Sequence, residues 1–334
     1  MLIVALLLVG VALGAYLVLG AGLRGEDEPV TIAVEQGDTL SSVADKLEEA
    51  GVVRSSLLFE LKARYDGWDK EIKPGEYRFT PGEKREEIMR TLASGDSISA
   101  FTITIPEGLT LEQTARVVEA EGGVPAEEIE AAARKTDYGY AFLDDPDIET
   151  TEGFLFPKKY EFEGETSAEQ IVNRLLEQYL IETRELDFEA AQRRLNLTEY
   201  ELVTVASLVE KEAANPEERS IIAGVIYNRI RSGMPLQVDA TVQYILDKPK
   251  EDLSIDDLEI ESPYNTYKNR GLPPGPIANP SRESIRAALE PAATDAFYYV
   301  LEPGGKEHFF TNDYDEFLEA KKAAEEEVGD KDEH

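Results

Sequence analysis

Glu210, within the mostly apolar stretch Leu197 to Arg231, is the strongest candidate for chemistry in this chain of 334 residues, with Glu212 two positions on. With no cysteines and only two histidines, His308 and His334, disulfides, thiolate nucleophiles and thiolate metal sites are excluded and zinc ligation is disfavoured. Reactions must therefore run on carboxylates and hydroxyls, and no metal or cofactor is expected. Proton transfer by a carboxyl near neutral pH needs a raised pKa, which burial away from cations supplies.

The helix that must position these groups is marked at its start. Thr198 and Glu201 form a capping box, and Leu197 can staple onto Leu202. Leu202, Val205, Ala206, Val209 and Ala213 recur at helical spacing as a core stripe. Glu210 borders that stripe, and its neighbours one and two turns away, Val203, Ala206, Ser207, Ala213 and Ala214, are small or apolar and uncharged. That face leaves room for a ligand and predicts a raised pKa, although Glu210 equally fits a solvated position near a helix end. Glu212, two residues on, points to nearly the opposite side, so the two cannot form a same-face pair. Asn215-Pro216 breaks the helix and restarts another, with Asn215 as N-cap and Pro216 at N1.

Polar and aromatic residues gather on either side of the following segments. Asn228 and Arg229 lie on the second helix, and Gln237, Asp239 and Thr241 enter from a loop; Asp239 also fits a helix N-cap. The stretch Ser262 to Ile285 is stiffened by Pro263, Pro273, Pro274, Pro276 and Pro280, and long ordered loops of this kind carry function. Within it, Tyr264 and Tyr267 offer rings for stacking on pyranose faces and Asn265 and Thr266 offer polar groups for hydroxyls; the alternative is a turn packed on its own tyrosines.

Along the rest of the chain, Leu2 to Leu23 carries no charge, and about 22 residues at roughly 1.5 Å each cross a bilayer core. A retained single-pass membrane anchor is expected, with the long acidic remainder outside the cytoplasm. From Val30 to Gly95 the pattern reads strand, helix, helix, short strand around Tyr77, helix, and VEQGDTLSSVADKL resembles a LysM domain, a module for N-acetylglucosamine-containing glycans. FTITIPEG followed by LTLEQTARVV opens a second, loosely repeated strand-helix unit. EGFLFPKKYEF, residues 152 to 162, supplies aromatics for a core, and AFYYVLE with HFFT predicts a terminal hairpin around Pro303-Gly304-Gly305.

The net charge of -34 argues against nucleic acid and anionic lipid surfaces, which such a chain would repel. Spread over many segments, it reads as a solvating surface. The acid-rich run Asp144 to Glu152 lacks the ligand spacing and central glycine of a calcium loop.

Taken in order, EGFLFP, ASLVEKEA, IYNRIRSGMPLQVDATVQY, YNTYKNRGLPPGPIANP and FYYVLEPGGKEHFFT resemble the endolytic murein transglycosylase family, also called YceG-like, over nearly the whole length. The departures are Lys158, where the family commonly has Asp, and Asp313 to Phe317. The resemblance implies an α+β architecture: a transmembrane anchor (1–24), a small LysM-like βα domain (30–97), and a larger mixed α/β catalytic domain with a helical core (98–318, of which 98–165 includes the second βα unit), followed by an acidic tail (319–334). It implies cleavage of MurNAc-β-1,4-GlcNAc bonds within peptidoglycan strands, giving 1,6-anhydro ends. Glu210 is placed as the catalytic acid, with Asn228, Arg229, Gln237, Asp239, Tyr264, Asn265, Thr266 and Tyr267 lining the cleft. Partners implied are the glycan strands, the membrane and peptidoglycan synthases. Two alternatives stay open: a two-carboxylate muramidase using Asp239 or Glu212 as base or nucleophile, and a non-catalytic glycan-binding scaffold.

Overall fold

The computed structural model describes residues 29–68, 72–95, 101–162, 164, 166–246, 248, 250 and 252–331. The apolar span expected at Leu2 to Leu23 lies outside the described residues. The chain divides into two units, residues 1–101 with 162–165, and residues 102–161 with 166–334.

In the first unit, β1 (Val30–Val34) leads through α1 (Leu40–Glu49) and α2 (Ser56–Tyr65) to β2 (Gly75–Phe79) and α3 (Arg85–Ser94). The strands pair antiparallel, Val30 opposite Phe79 and Val34 opposite Gly75. Alternation turns Ile32, Val34, Tyr77 and Phe79 inward onto Val43, Leu47, Ile88 and Leu92 of the helices, one small core. Thr39 and Ser42 close the start of α1 with reciprocal side-chain caps.

Next in the chain, β3 (Phe101–Thr104) pairs with β4 (Lys159–Phe162), and between them run α4 (Leu111–Gly122) and α5 (Ala126–Ala133). The helical part of the second unit follows: α6 (Ala168–Thr183), α7 (Phe188–Leu195), α8 (Glu199–Glu212), α9 (Arg219–Arg231), α10 (Asp239–Ile245), α11 (Ile255–Leu258) and α12 (Arg282–Leu289). At its centre lies α8, whose residues Leu202 to Val209 are all buried, as a helix surrounded by other elements requires. The Thr198–Glu201 capping box opens it, and it packs chiefly against α12, with α9 and α10 alongside. The break at Asn215-Pro216 becomes a 3-10 turn, Pro216–Glu218, before α9 begins.

The chain closes with the hairpin β5 (Tyr298–Leu301) and β6 (His308–Thr311), then α13 (Tyr314–Lys331). Residues 319–331, expected as a separate acidic tail, continue this helix. Its first turn carries Tyr314 and Phe317, whose rings each lie 5.3 Å from that of Tyr298 on β5. That aromatic pair anchors the acidic stretch to the hairpin.

Candidate functional site

The last turn of α8 presents its two carboxyls to different surroundings, as a separation of two residues dictates. Glu210 is sealed, its side chain 7% exposed. Its Oε2 accepts hydrogen bonds from Ser281 N (2.9 Å) and Ser281 Oγ (2.6 Å), and the Arg219 guanidinium approaches Oε1 to 3.9 Å. Ser281 is the N-cap of α12, so Glu210 docks the start of that helix on the end of α8. Of the small and apolar residues expected to leave room for a ligand, Val203, Ala206 and Ser207 are buried beneath other segments, whereas Ala213 is half-buried and Ala214 exposed. Ser207 Oγ accepts from Ile277 N at 3.0 Å, and the Pro276 ring lies so close to Gly153 that a Cβ there would meet its Cγ at 2.5 Å. Helical spacing shows which neighbours α8 itself lacks, whereas the arginine and the serine arrive from residues beyond the break. The open, cation-free face expected for Glu210 is therefore not what the fold builds.

Glu212 has a different environment. Its residue is only partly exposed, and burial raises its pKa above the usual carboxyl range, reinforced by the charge of Asp239 and opposed by the Tyr299 hydrogen bond and the positive charge of Arg229. Tyr299 OH donates to Glu212 Oε2 at 2.6 Å, and the Tyr299 phenol is held well above its normal pKa by burial and by Glu212, so it stays a donor. Strand β5 delivers Tyr299, and β6 fixes the strand: His308 N donates to Glu218 Oε1 at 2.8 Å, while His308 Nδ1 lies 2.7 Å from Glu218 Oε2. The imidazole meets the Tyr299 ring edge-on at 5.5 Å. The terminal hairpin thus reaches back to the turn before α9 and presents one hydroxyl to the end of α8.

Of the residues expected to line a cleft, the structure brings Asp239 and Tyr267 to the Glu212 side. Asp239, exposed at the start of α10, accepts from Tyr267 OH. Tyr267 is half-buried, and its phenol is shifted upward by burial and then by Asp239 and Glu212. Gln237 is exposed with φ 51, a left-handed conformation uncommon outside glycine. Such strain concentrates at functional sites, and here it turns an amide side chain outward two residues before Asp239.

The others are framework. Arg229 donates from Nε to Phe297 O at 2.7 Å and from Nη1 to Leu236 O at 2.5 Å, tying the loop before α10 to the start of the hairpin. Asn228 Nδ2 donates to Thr294 O (3.0 Å) and Ala296 O (2.8 Å). Asn265 is fully buried, donating to Leu258 O and Ile260 O at 2.9 Å each. Thr266, also buried, accepts from Val238 N at 3.0 Å and contacts Thr241 Oγ1 at 2.9 Å. Tyr264 lies tilted against Tyr244, ring centroids 5.0 Å apart, and Tyr244 in turn donates to Glu152. Burial pushes the Glu152 carboxyl up to about 8, opposed by hydrogen bonds from Leu111 N, Gly153 N and Tyr244. In a polar motif, residues that bind backbone carbonyls cannot be told from residues that face substrate, because both need the same donors.

Sequence reasoning placed no site role on Tyr299, Arg219, Ser281 or Glu152. Glu152, beginning the EGFLFP motif, and Tyr299, within FYYVLEPGGKEHFFT, each carried a local signal. Among the described residues no group of three or more acidic or histidine side chains is placed to hold a metal ion.

Comparisons with known proteins extend over most of the chain. The sequence pattern of the YceG-like family matches residues 32–323. The endolytic murein transglycosylase of Bacillus subtilis (strain 168) is 35% identical over 307 residues, 87% of this chain and 84% of that protein. Its namesake from Streptococcus pneumoniae serotype 2 (strain D39) is 31% identical over 315 residues, 86% of this chain but 57% of that longer protein. The crystal structure of a yceG-like protein from Listeria monocytogenes superposes with a TM-score of 0.60 at 28% identity, covering 88% of this chain and 99% of the other.

Proposed function

The chain belongs to the YceG-like family, and from that premise we propose that it cleaves peptidoglycan glycan strands internally as a lytic transglycosylase, with Glu212 as its proton-transferring group. The carrying observation is the contrast at the end of α8: Glu210 is occupied by Ser281 and Arg219, while Glu212 is desolvated and hydrogen-bonded by the single donor Tyr299. The names of the bacillar and streptococcal relatives support the substrate.

In the reaction, the upward-shifted pKa favours the protonated form of Glu212, which donates its proton to the glycosidic oxygen as the C1–O bond breaks. The carboxylate formed is stabilised by the Tyr299 hydroxyl, which is already aimed at Oε2 and needs no reorientation. An oxocarbenium-like MurNAc results. Glu212 then takes the proton of the C6 hydroxyl as O6 attacks C1, which closes the 1,6-anhydro ring and restores the acid. The substrate supplies its own nucleophile, so one carboxyl serves both steps. Gln237, Asp239 and Tyr267 are the polar groups that meet the sugars.

The nearness of Asp239 favours a second reading, hydrolysis by a carboxyl pair in which Asp239 activates water or attacks C1. Mass spectrometry of products from purified peptidoglycan separates the two by one water, and Glu212→Gln should abolish either. Full cleavage by that variant would end the assignment of Glu212. We further place the apolar segment at Leu2–Leu23 as a single-pass anchor with the catalytic unit outside the cytoplasm, beside peptidoglycan synthases. The LysM-like stretch would add glycan affinity there. Sequence pattern supports these last points.

A further inference from the structure

Arg219 is the one described side chain with a buried nitrogen that lacks a hydrogen-bond partner: its Nε is enclosed and unbonded. The side chain is 14% exposed, and its ion-pair contact is with Glu210 at 3.9 Å, too long for a hydrogen bond. A guanidinium carries five donors, and an enclosed one left unsatisfied calls for an explanation.

The surroundings supply one. The loop after β3 runs against the same end of α8. Gly108 N donates to Asn279 O at 3.0 Å and Gly108 O accepts from Lys211 Nζ at 3.1 Å. A Cβ on Gly108 would stand 3.5 Å from Glu210 Cγ, and its φ of +72 requires glycine. This fixed backbone holds the neighbouring Glu107, an exposed side chain, beside Glu210 and Arg219. Partial burial raises the Glu107 carboxyl, followed by the charge of Glu210, with Arg219 opposing. Glu210 is engaged by Ser281, so the groups with hydrogen-bonding capacity to spare are the Arg219 guanidinium and the Glu107 carboxylate.

A donor and an acceptor side by side match the two ends of a secondary amide, whose C=O accepts and whose N–H donates. A free anion fits poorly, because Glu107, Glu210 and Glu283 all lie within electrostatic reach. We propose that Glu107 and Arg219 form a subsite for a substrate secondary amide, the carboxylate accepting its N–H and the guanidinium donating to its carbonyl. The inference rests on the reading of this chain as acting on peptidoglycan strands. That polymer offers the amide from two sources, the 2-acetamido group of each sugar and the peptide stem on the lactyl ether. The subsite lies across α8 from Glu212, so one strand passing over the helix end would meet both.

Binding tests this without turnover. In a Glu212→Gln background, titration calorimetry would compare Glu107→Gln, Arg219→Lys and the unaltered pair, using glycan strands with stems, strands stripped of stems by an amidase, and chemically N-deacetylated strands. Loss of a charge-assisted hydrogen bond should weaken binding about tenfold in each variant. The loss should vanish on whichever substrate lacks the recognised amide, deacetylated strands for the acetamido source or stripped strands for the stem. Unchanged affinity in both variants, or an equal loss on all three substrates, overturns the subsite. Cleavage of intact strands by the parent protein, measured in parallel, reports separately on the underlying activity, and Glu107→Gln is an exposed, isosteric change that leaves folding intact.

Discussion

The two sides of the last turn of α8 carry the same side chain with opposite consequences. Glu210 faces a serine N-cap and an arginine, and becomes a joint between helices. Glu212 faces a buried tyrosine and a second acid, and burial raises its pKa. The peptide spacing that separates them is trivial; what distinguishes them is which distant segment packs against each side. A carboxylate whose oxygen is already taken by two fixed donors serves as a structural joint, while one with a single donor keeps lone pairs free for another partner.

The sharpest way to break this contrast is to neutralise each acid in turn. Glu212→Gln should lower kcat on purified peptidoglycan by about 1000-fold, within the range general acid–base catalysis supplies, with the melting temperature unchanged. Comparable residual activity would refute the assignment.

The next largest effect lies at Glu152. Its folded-state pKa of about 8 stands above the usual 4.5, so the folded protein keeps a proton that the unfolded chain releases. Stability is then greatest below pH 4.5 and falls as pH rises to about 8, by on the order of 5 kcal/mol. Glu152→Gln should flatten that slope in urea titrations run between pH 5 and 8, and an unchanged slope would place the proton elsewhere.

Glu210→Gln should mainly cost stability, about 2 kcal/mol, because it weakens the acceptor for Ser281 and leaves Arg219 without its counter-charge. Chemical denaturation would read this, together with a kcat reduced far less than in Glu212→Gln. Smallest is Tyr299→Phe. Removing the hydroxyl deletes the hydrogen bond that holds Glu212 down, so its pKa should rise further, moving the basic limb of the kcat/KM profile to higher pH while the rate falls about tenfold at the optimum. A profile that stays in place would detach Tyr299 from the acid.

Much of this was legible beforehand where the determinants are local. The capping box at Thr198, the break at Asn215-Pro216 and the terminal hairpin are written in residues a few positions apart, and the motif order pointed to the family over nearly the whole chain. The choice between the two glutamates was not legible, because Arg219 and Ser281 reach Glu210 from beyond the break, and Tyr299 reaches Glu212 across 87 positions. Asn265 and Thr266 were misjudged for a related reason: a side chain that braces a loop and one that grips a sugar use identical atoms. The strained backbone at Gln237 left no trace in the sequence, since neither neighbour is a glycine or proline.

Asn279, wholly enclosed, accepts from the amides of Gly153 (2.9 Å) and Leu155 (3.0 Å) and donates to the carbonyl of Leu109 (3.0 Å). One amide group therefore knots together segments made at three widely separated moments of synthesis. Until the ribosome has passed that asparagine, and then the hairpin beyond it, the pieces flanking the end of α8 have nothing to lock onto. A nascent or C-terminally clipped chain would carry every earlier motif in its proper order and still be unable to cut.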